Sequence, residues 1–386
     1  MANRNYWIDN LRSFITVLVL AHHAALAYTT FSWFDKITYI NSTHPVVDNS
    51  RWIGLDVFAS FNDSFFMSLM FMISGLFIIS GIRKKGSVQF LLGRAKRLGL
   101  PFLFAELFII PAAYIPSYYL VNHQFNFGSF ITDYLVHQRW PVGPPWFIWL
   151  LLAFNCLAAM LPQVFYIKAA ELVIRLSRKP HRFVLLWFSI VAIAYIPLSL
   201  LIGQYKWTGF GPFDFQLNRV IFYFVFFLFG AILGTIPWED YLFQKQLLLG
   251  KTTFFWIVGS ILSYGSIELI NYWGYGELAA RQVPVLWVNL VFEVIFVSCS
   301  VITCFALMII FRSVENKTSA AWKSLSANAY GMYLIHYVFV TWLQFALLGC
   351  SLPVIFKFAI VFAVTLALSW WVTNLLRKSR FISNLL

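Results

Sequence analysis

Two residues near the start of the chain, Arg12 and His23, have the types and the spacing to do chemistry together. Eleven residues of helix turn through about 1100°, three full turns plus roughly 20°, so both side chains project from one face. Their separation along the axis is roughly 16 Å. A guanidinium at one end of such a face binds anions, phosphate above all. An imidazole at the other end takes or gives a proton near neutral pH. His22 points about 100° away from His23. Asp9 stands three residues before Arg12, where it can pair with it. The other use for a membrane histidine is a bond to a neighbouring carbonyl.

Three further polar residues fall at a similar height. Ser74 lies nine residues above Arg83, Glu106 nine above Arg97, and His336 nine above Ala327, where its apolar run leaves the inner face. Nine residues rise roughly 13–14 Å. His23, Ser74, Glu106 and His336 are therefore expected to meet in one polar layer just inside mid-membrane, although each alone can serve as helix-packing glue. With Asp63 they are the candidate catalytic residues. Asp63, Glu268 and Glu293 sit nearer the outer face, where they line an entrance or form structural ion pairs. Glu268 and Glu293, with Trp146 and Trp149, are the candidate substrate-binding residues. At the inner face Arg94 and Arg97 share a helix side. With Arg12 they are the candidate site for a phosphorylated donor, set against ordinary anchoring of a basic cluster. Cys156, Cys299, Cys304 and Cys350 show no CxxC spacing, so neither a disulfide framework nor a metal site is expected.

The elements that must hold these residues are membrane helices. The 386 residues are 60% hydrophobic, 20% aromatic and 11% charged, and mean hydropathy is +0.75. A soluble domain carries roughly a quarter charged residues. That rules out a disordered chain and argues against a water-soluble globule. Net charge is +13, but the basic residues lie in short clusters between apolar runs. Membrane topology explains that pattern, and a nucleic-acid-binding face does not. Ten runs approach the roughly 20 residues a span needs: 9–30, 61–82, 98–121, 145–167, 184–203, 217–237, 253–272, 284–311, 327–347 and 353–376. Strands are not expected, because the runs are long and lack period-2 alternation. All but seven of the 28 Lys and Arg residues fall at the N-terminus, in alternate connections or in the tail. The exceptions are Lys36, Arg51, Arg139, Lys206, Arg219, Arg281 and Lys357. The positive-inside rule then puts both termini in the cytoplasm. Arg4, the first apolar run and Ala25-Leu26-Ala27 imitate a signal peptide, but Asp9, Arg12 and the paired histidines argue against cleavage. The expectation is an all-α multi-pass protein with one transmembrane domain over 1–386, no internal repeat and no appended soluble domain. Gly230 and Gly234 form one GxxxG packing signal. Of two long outer loops, 31–60 and 122–144, the second runs into Pro141-Val142-Gly143-Pro144-Pro145-Trp146. Taken alone, that stretch reads as an interfacial turn with a Trp anchor.

These residues together resemble the membrane acyltransferase 3 family, which includes bacterial surface O-acetyltransferases and a periplasmic-glucan succinyltransferase. Ile8-Asp9-Asn10-Leu11-Arg12 with His23 is similar to its Arg-x10-His arrangement, and Phe71-Met72-Ile73-Ser74-Gly75 to its Phe-x-x-Ser-Gly segment. Arg94-x-x-Arg97 with Leu98 and Pro101 looks like its basic motif, Trp146-Phe147 like its Trp-Phe signature, and Tyr330 to His336 like its late Tyr-Leu-x-His segment. The motifs span residues 8 to 336. Many members carry an Asp six residues before that Ser; here the position is Ser68, which leaves Asp63 or Glu106 to orient the histidine. Many members also carry a C-terminal esterase-like domain, so the chain more closely resembles the stand-alone branch.

The resemblance implies transfer of an acyl group from cytoplasmic acyl-CoA to a hydroxyl acceptor on the outer side, usually a carbohydrate, in a bacterial inner membrane, with no metal. Arg94, Arg97 and Arg12 would hold the donor's phosphates. A hydroxyl needs a base in hydrogen-bond reach. His23 would be that base, and His336 or Ser74 would donate to the oxyanion. Direct transfer and an acyl-enzyme route both stay open. The competing class is a proton-coupled secondary transporter, which would also place histidines and carboxylates within its spans.

Overall fold

A computed structural model describes residues 6–242, 253–314 and 319–385. Of the basic residues assigned above to the inner side, Arg4, Lys245, Lys251 and Lys317 lie outside these. The main helices are α1 (Tyr6–Leu26), α2 (Ile53–Lys85), α3 (Ser87–Asn122), α4 (Trp146–Met160), α5 (Gln163–Ser177), α6 (Pro180–Ile202), α7 (Val220–Leu233), α8 (Thr253–Ala280), α9 (Val285–Val314), α10 (Ala320–Ala346) and α11 (Val354–Leu376). Every expected span contains a helix. Six helices among the described residues, α2, α3, α6, α8, α9 and α11, are long and apolar enough to cross a membrane by themselves, not ten.

The shortfall has physical causes. Leu161-Pro162 breaks the expected span 145–167: Leu161 is extended, as a following Pro favours. The chain bends there by 96° between α4 and α5. Helices α1 and α10 are less apolar because they are enclosed. The first packs against α2, α9, α10 and α11, and Asn10, Ser13 and Thr16 are among its buried residues. A helix wrapped by others can carry polar groups that a lipid-facing helix cannot. Strands are not wholly absent: Trp207 and Thr208 pair antiparallel with Gln216 and Phe215 in a two-residue hairpin between α6 and α7.

The GxxxG signal marks a close backbone contact. A methyl group at Gly230 would run into the Met72 carbonyl oxygen, and one at Gly234 into that of Leu76. From the other side, Gly75 lies against the Phe227 carbonyl. Helices α2 and α7 therefore meet backbone to backbone, as small-residue faces allow.

The connection between α1 and α2 is folded against the helices. Lys357 Nζ donates to Asp48 Oδ2 at 2.7 Å, both side chains being buried. Thr30 N donates to Asp56 Oδ1 at 2.7 Å. Tyr39 Oη reaches Asp133 Oδ2 at 2.7 Å, and Ser117 Oγ donates to the Pro45 carbonyl at 2.7 Å. These bonds tie the segment to α11, α2, the 122–144 loop and α3.

Candidate active site

The first helix ends at Leu26, so His23 lies in its last turn. It sits next to the folded α1–α2 connection rather than midway along a helix reaching residue 30. His336, fully buried on α10, meets it: Nε2 of His336 is 3.3 Å from Nδ1 of His23, and the ring centres are 5.0 Å apart. Gln344, two turns further along α10, donates to the His23 carbonyl at 3.1 Å. This fixes α1 against α10 at the level of the pair.

Backbone carbonyls set the tautomers. Nδ1 of His336 is 2.7 Å from the Tyr333 carbonyl, and a carbonyl only accepts, so this nitrogen carries the proton. Nε2 of His336 is then a lone pair facing His23. Nδ1 of His23, 2.9 Å from the Val19 carbonyl, is likewise the protonated nitrogen. Its N–H is shared between that carbonyl and His336. Nε2 of His23 is left with a lone pair, as a proton acceptor must have. Both nitrogens of His336 are engaged, so it orients His23 and is not placed to donate to an oxyanion.

Glu106 stands at the same height. Helices α3 and α10 run side by side: Tyr330 Oη donates to the Arg97 carbonyl at 3.1 Å and Trp342 Nε1 to the Ala112 carbonyl at 2.9 Å. Glu106 falls between the α3 markers as His336 falls between the α10 markers. Its π-helical turn, Ala105–Ile109, packs on α10; such turns recur at functional sites. The carboxylate is 1% exposed, and neither oxygen has a hydrogen-bond partner among the described residues. It lies within electrostatic reach of Tyr114, Tyr134 and Tyr333.

Other expected members are placed elsewhere. His22 stacks on Phe66 of α2 at 5.1 Å, so α2 passes the histidines near residue 66. Ser74, eight residues further on, is about 12 Å away along the helix. Ser74 is therefore not at the height of the histidines that counting up from Arg83 implies. Asp63 is held by Arg219 through two bonds, Nη1 to Oδ1 at 2.9 Å and Nη2 to Oδ2 at 2.7 Å. It acts on His22 and makes no hydrogen bond to His23. Glu293 accepts from Ser199 Oγ at 2.6 Å and Gln204 Nε2 at 2.8 Å, which makes it a buried joint between α9 and α6. Glu268 sits beside Tyr264 of its own helix. Trp149 donates Nε1–H to the Asp214 carbonyl at 3.2 Å and thus holds the hairpin loop.

The family-like motifs do converge. Phe71 packs on Phe147 at 4.6 Å and on Trp146 at 6.3 Å. Phe147 packs on Tyr333 at 5.9 Å, one turn before His336. The 141–145 turn is buried within the protein, with Gly143 half-buried. Tyr134 Oη donates to the Pro141 carbonyl at 3.2 Å and Tyr333 Oη to that of Pro144. A Cβ at Gly143, whose φ is +53°, would lie 3.5 Å from the ring of Tyr337. Left-handed backbone of this kind is open to glycine. The turn is thus a wall of the site.

Sequence reasoning missed His44. It lies in the α1–α2 connection, 2% exposed, with its ring 5.5 Å from Tyr337; Tyr337 in turn is 5.4 Å from His23. Burial holds its imidazole down to about 3, against the pull of the Val46 carbonyl. A single histidine in a loop without periodicity gives no signal. Toward the other end of α1, Arg12 pairs with Asp9 at 3.3 Å. Arg94 lies over the Phe90 ring at 5.2 Å, and exposed Arg97 donates Nε–H to the Asn384 carbonyl at 3.4 Å. No three His, Cys, Asp or Glu side chains among the described residues form a group able to hold a metal.

The polytopic helical frame, the contact of half-buried His23 with buried His336 and the converging motifs agree with one family of membrane proteins. The acyltransferase 3 model, described as "Acyltransferase domain", matches residues 5–374, and the chain belongs to this family. It is similar to Glucans biosynthesis protein C of Shigella dysenteriae serotype 1 (strain Sd197), 26% identical over 253 residues, 61% of this chain and 60% of that protein. The protein of the same name from Escherichia coli (strain SMS-3-5 / SECEC) gives the same identity and coverage. That from Escherichia coli O139:H28 (strain E24377A / ETEC) is 26% identical over 259 residues, 63% and 61% of the two chains. The match thus spans about three fifths of these curated relatives. No solved structure matches the chain.

Proposed function

We propose that this chain moves an acyl group from cytoplasmic acyl-CoA to a hydroxyl of a carbohydrate acceptor on the outer side of a bacterial inner membrane, using residues 1–386 as one transmembrane domain. In this reading there are ten membrane passages, with α1 and α10 as the polar central pair, and both termini are cytoplasmic. The observation that carries the reading is the His23–His336 contact, with both tautomers set so that Nε2 of His23 is a free proton acceptor. The relatives' name, with its glucans, favours a glucan acceptor.

Nε2 of His23 takes the hydroxyl proton as the oxygen attacks the thioester carbonyl. The new C–O bond forms, the C–S bond breaks, and the proton passes to the departing thiolate. His336 and the Val19 carbonyl do for His23 what a carboxylate does in other members; Ser68 stands where that acid is found. Arg94 and Arg97, on the helix beside α10, hold the phosphates at the inner end, and a flexible thioester arm rises from there. Membership of an acyltransferase family favours this chemistry over proton-coupled transport.

The test is transfer of a labelled acyl group from acetyl-CoA or succinyl-CoA to a glucan oligosaccharide by the purified chain. His23→Ala should lower kcat by at least about 10²-fold, the range of a lost general base, with folding intact. Arg94→Ala with Arg97→Ala should raise donor KM and leave acceptor KM unchanged. Full activity in His23→Ala removes the base, and solute flux without acyl loss would favour a carrier.

A further inference from the structure

Four buried polar atoms with no hydrogen-bond partner among the described residues surround the outer end of α1. They are His22 Nδ1, Tyr28 Oη, His44 Nε2 and Gln344 Oε1. Buried polar atoms are nearly always paired, so a group of orphans beside a candidate site points to a ligand that pairs them. His44 is the one that belongs to the outer connection. Its Nδ1 lies 3.3 Å from the Val46 carbonyl and is therefore the N–H, which makes Nε2 a pure acceptor. It lies within electrostatic reach of His22 and His336, and the Tyr337 ring is packed against both His44 and His23. The segment that carries it is pinned by the buried Lys357–Asp48 pair and by the Ser117 bond to Pro45, so the orientation is built rather than incidental.

We propose that His44 is the residue that reads the acceptor: its Nε2 accepts a hydrogen bond from a second hydroxyl of a polyhydroxylated acceptor while the reacting hydroxyl faces His23. The inference rests on the acyl-transfer reading above. It assigns acceptor recognition to the outer connection and leaves donor recognition to the inner end of α3.

The test separates the two ideas. In His44→Asn the side-chain amide replaces Nδ1, keeps the bond to Val46 and loses the acceptor at Nε2. In His44→Gln the amide oxygen takes the place of Nε2. With purified full-length protein, acetyl-CoA or succinyl-CoA, and a glucan oligosaccharide, His44→Asn should raise acceptor KM about tenfold, the loss of one hydrogen bond. Donor KM and kcat should hold, and His44→Gln should recover most of the loss. The converse, with Asn like wild type and Gln defective, would make His44 a loop anchor and overturn the proposal, as would equal changes in donor and acceptor KM. The wild-type protein supplies a second arm that needs no variant to fold: singly deoxygenated acceptors should include one whose KM rises by a similar factor in wild type but not in His44→Asn. A flat deoxy series overturns the proposal. Failure of the wild-type protein to use any acyl-CoA would instead overturn the acyl-transfer reading.

Discussion

The chemistry of the site is decided by two carbonyl oxygens. Val19 and Tyr333 each accept from one imidazole, and those two bonds determine which nitrogen of His23 stays basic. His336 is the weaker constraint, because the Val19 carbonyl holds the His23 N–H without it. His336→Phe should therefore lower kcat by roughly tenfold, far less than the loss of a general base, with acceptor and donor KM unchanged in steady-state assays. An equal loss in the His336 and His23 variants would show that the second ring takes the proton itself. The facing of His23 and His336 could be foreseen from depth counting, because α1 and α10 are continuous helices. Ser74 was misplaced because a basic residue marks where a helix meets water only to within a few turns, and α2 meets the histidines near Phe66. His44 was invisible because nothing in a polar loop announces that it folds inward.

At the level of elements, close approach of α2 and α7 holds Phe71 against Phe147, and through it Tyr333 against the site. Gly230 is the tightest point of that contact. Gly230→Ala should force the helices apart and cost about 1–3 kcal/mol, the range for overpacking, seen as a lower melting temperature in detergent. An unchanged melting temperature would mean that the backbones separate freely. The GxxxG pattern announced this contact, but its partner on α2 was not readable, since Gly75 carries no spacing signal of its own. The π-helical turn at Glu106 and the 96° bend after α4 were equally hidden. A π turn has no compositional mark, and a proline shows where a helix ends without fixing the direction of the next.

For the molecule as a whole, hydropathy located ten of the eleven main helices, left most of α5 in a connection and miscounted those able to cross alone. The central helices are shielded by their neighbours and need not be apolar. The proposed topology can be read from a natural probe. Cys350 is exposed in the turn between α10 and α11, whereas Cys299 and Cys304 are buried. A membrane-impermeant maleimide should label a Cys156→Ser protein in intact cells, after outer-membrane permeabilisation alone; labelling only after the inner membrane is breached would invert the topology. Two of the seven basic residues that broke the charge pattern are explained by burial: Arg219 answers Asp63, and Lys357 answers Asp48. The second pair has a consequence for biosynthesis. The charge that secures the first extramembrane segment is translated some three hundred residues after it, and a buried carboxylate without its partner costs several kcal/mol. Until the ribosome has delivered the final long helix, Asp48 favours water over the interior. In an unfinished polypeptide the segment that carries His44 therefore lacks the ion pair that helps to hold it in place.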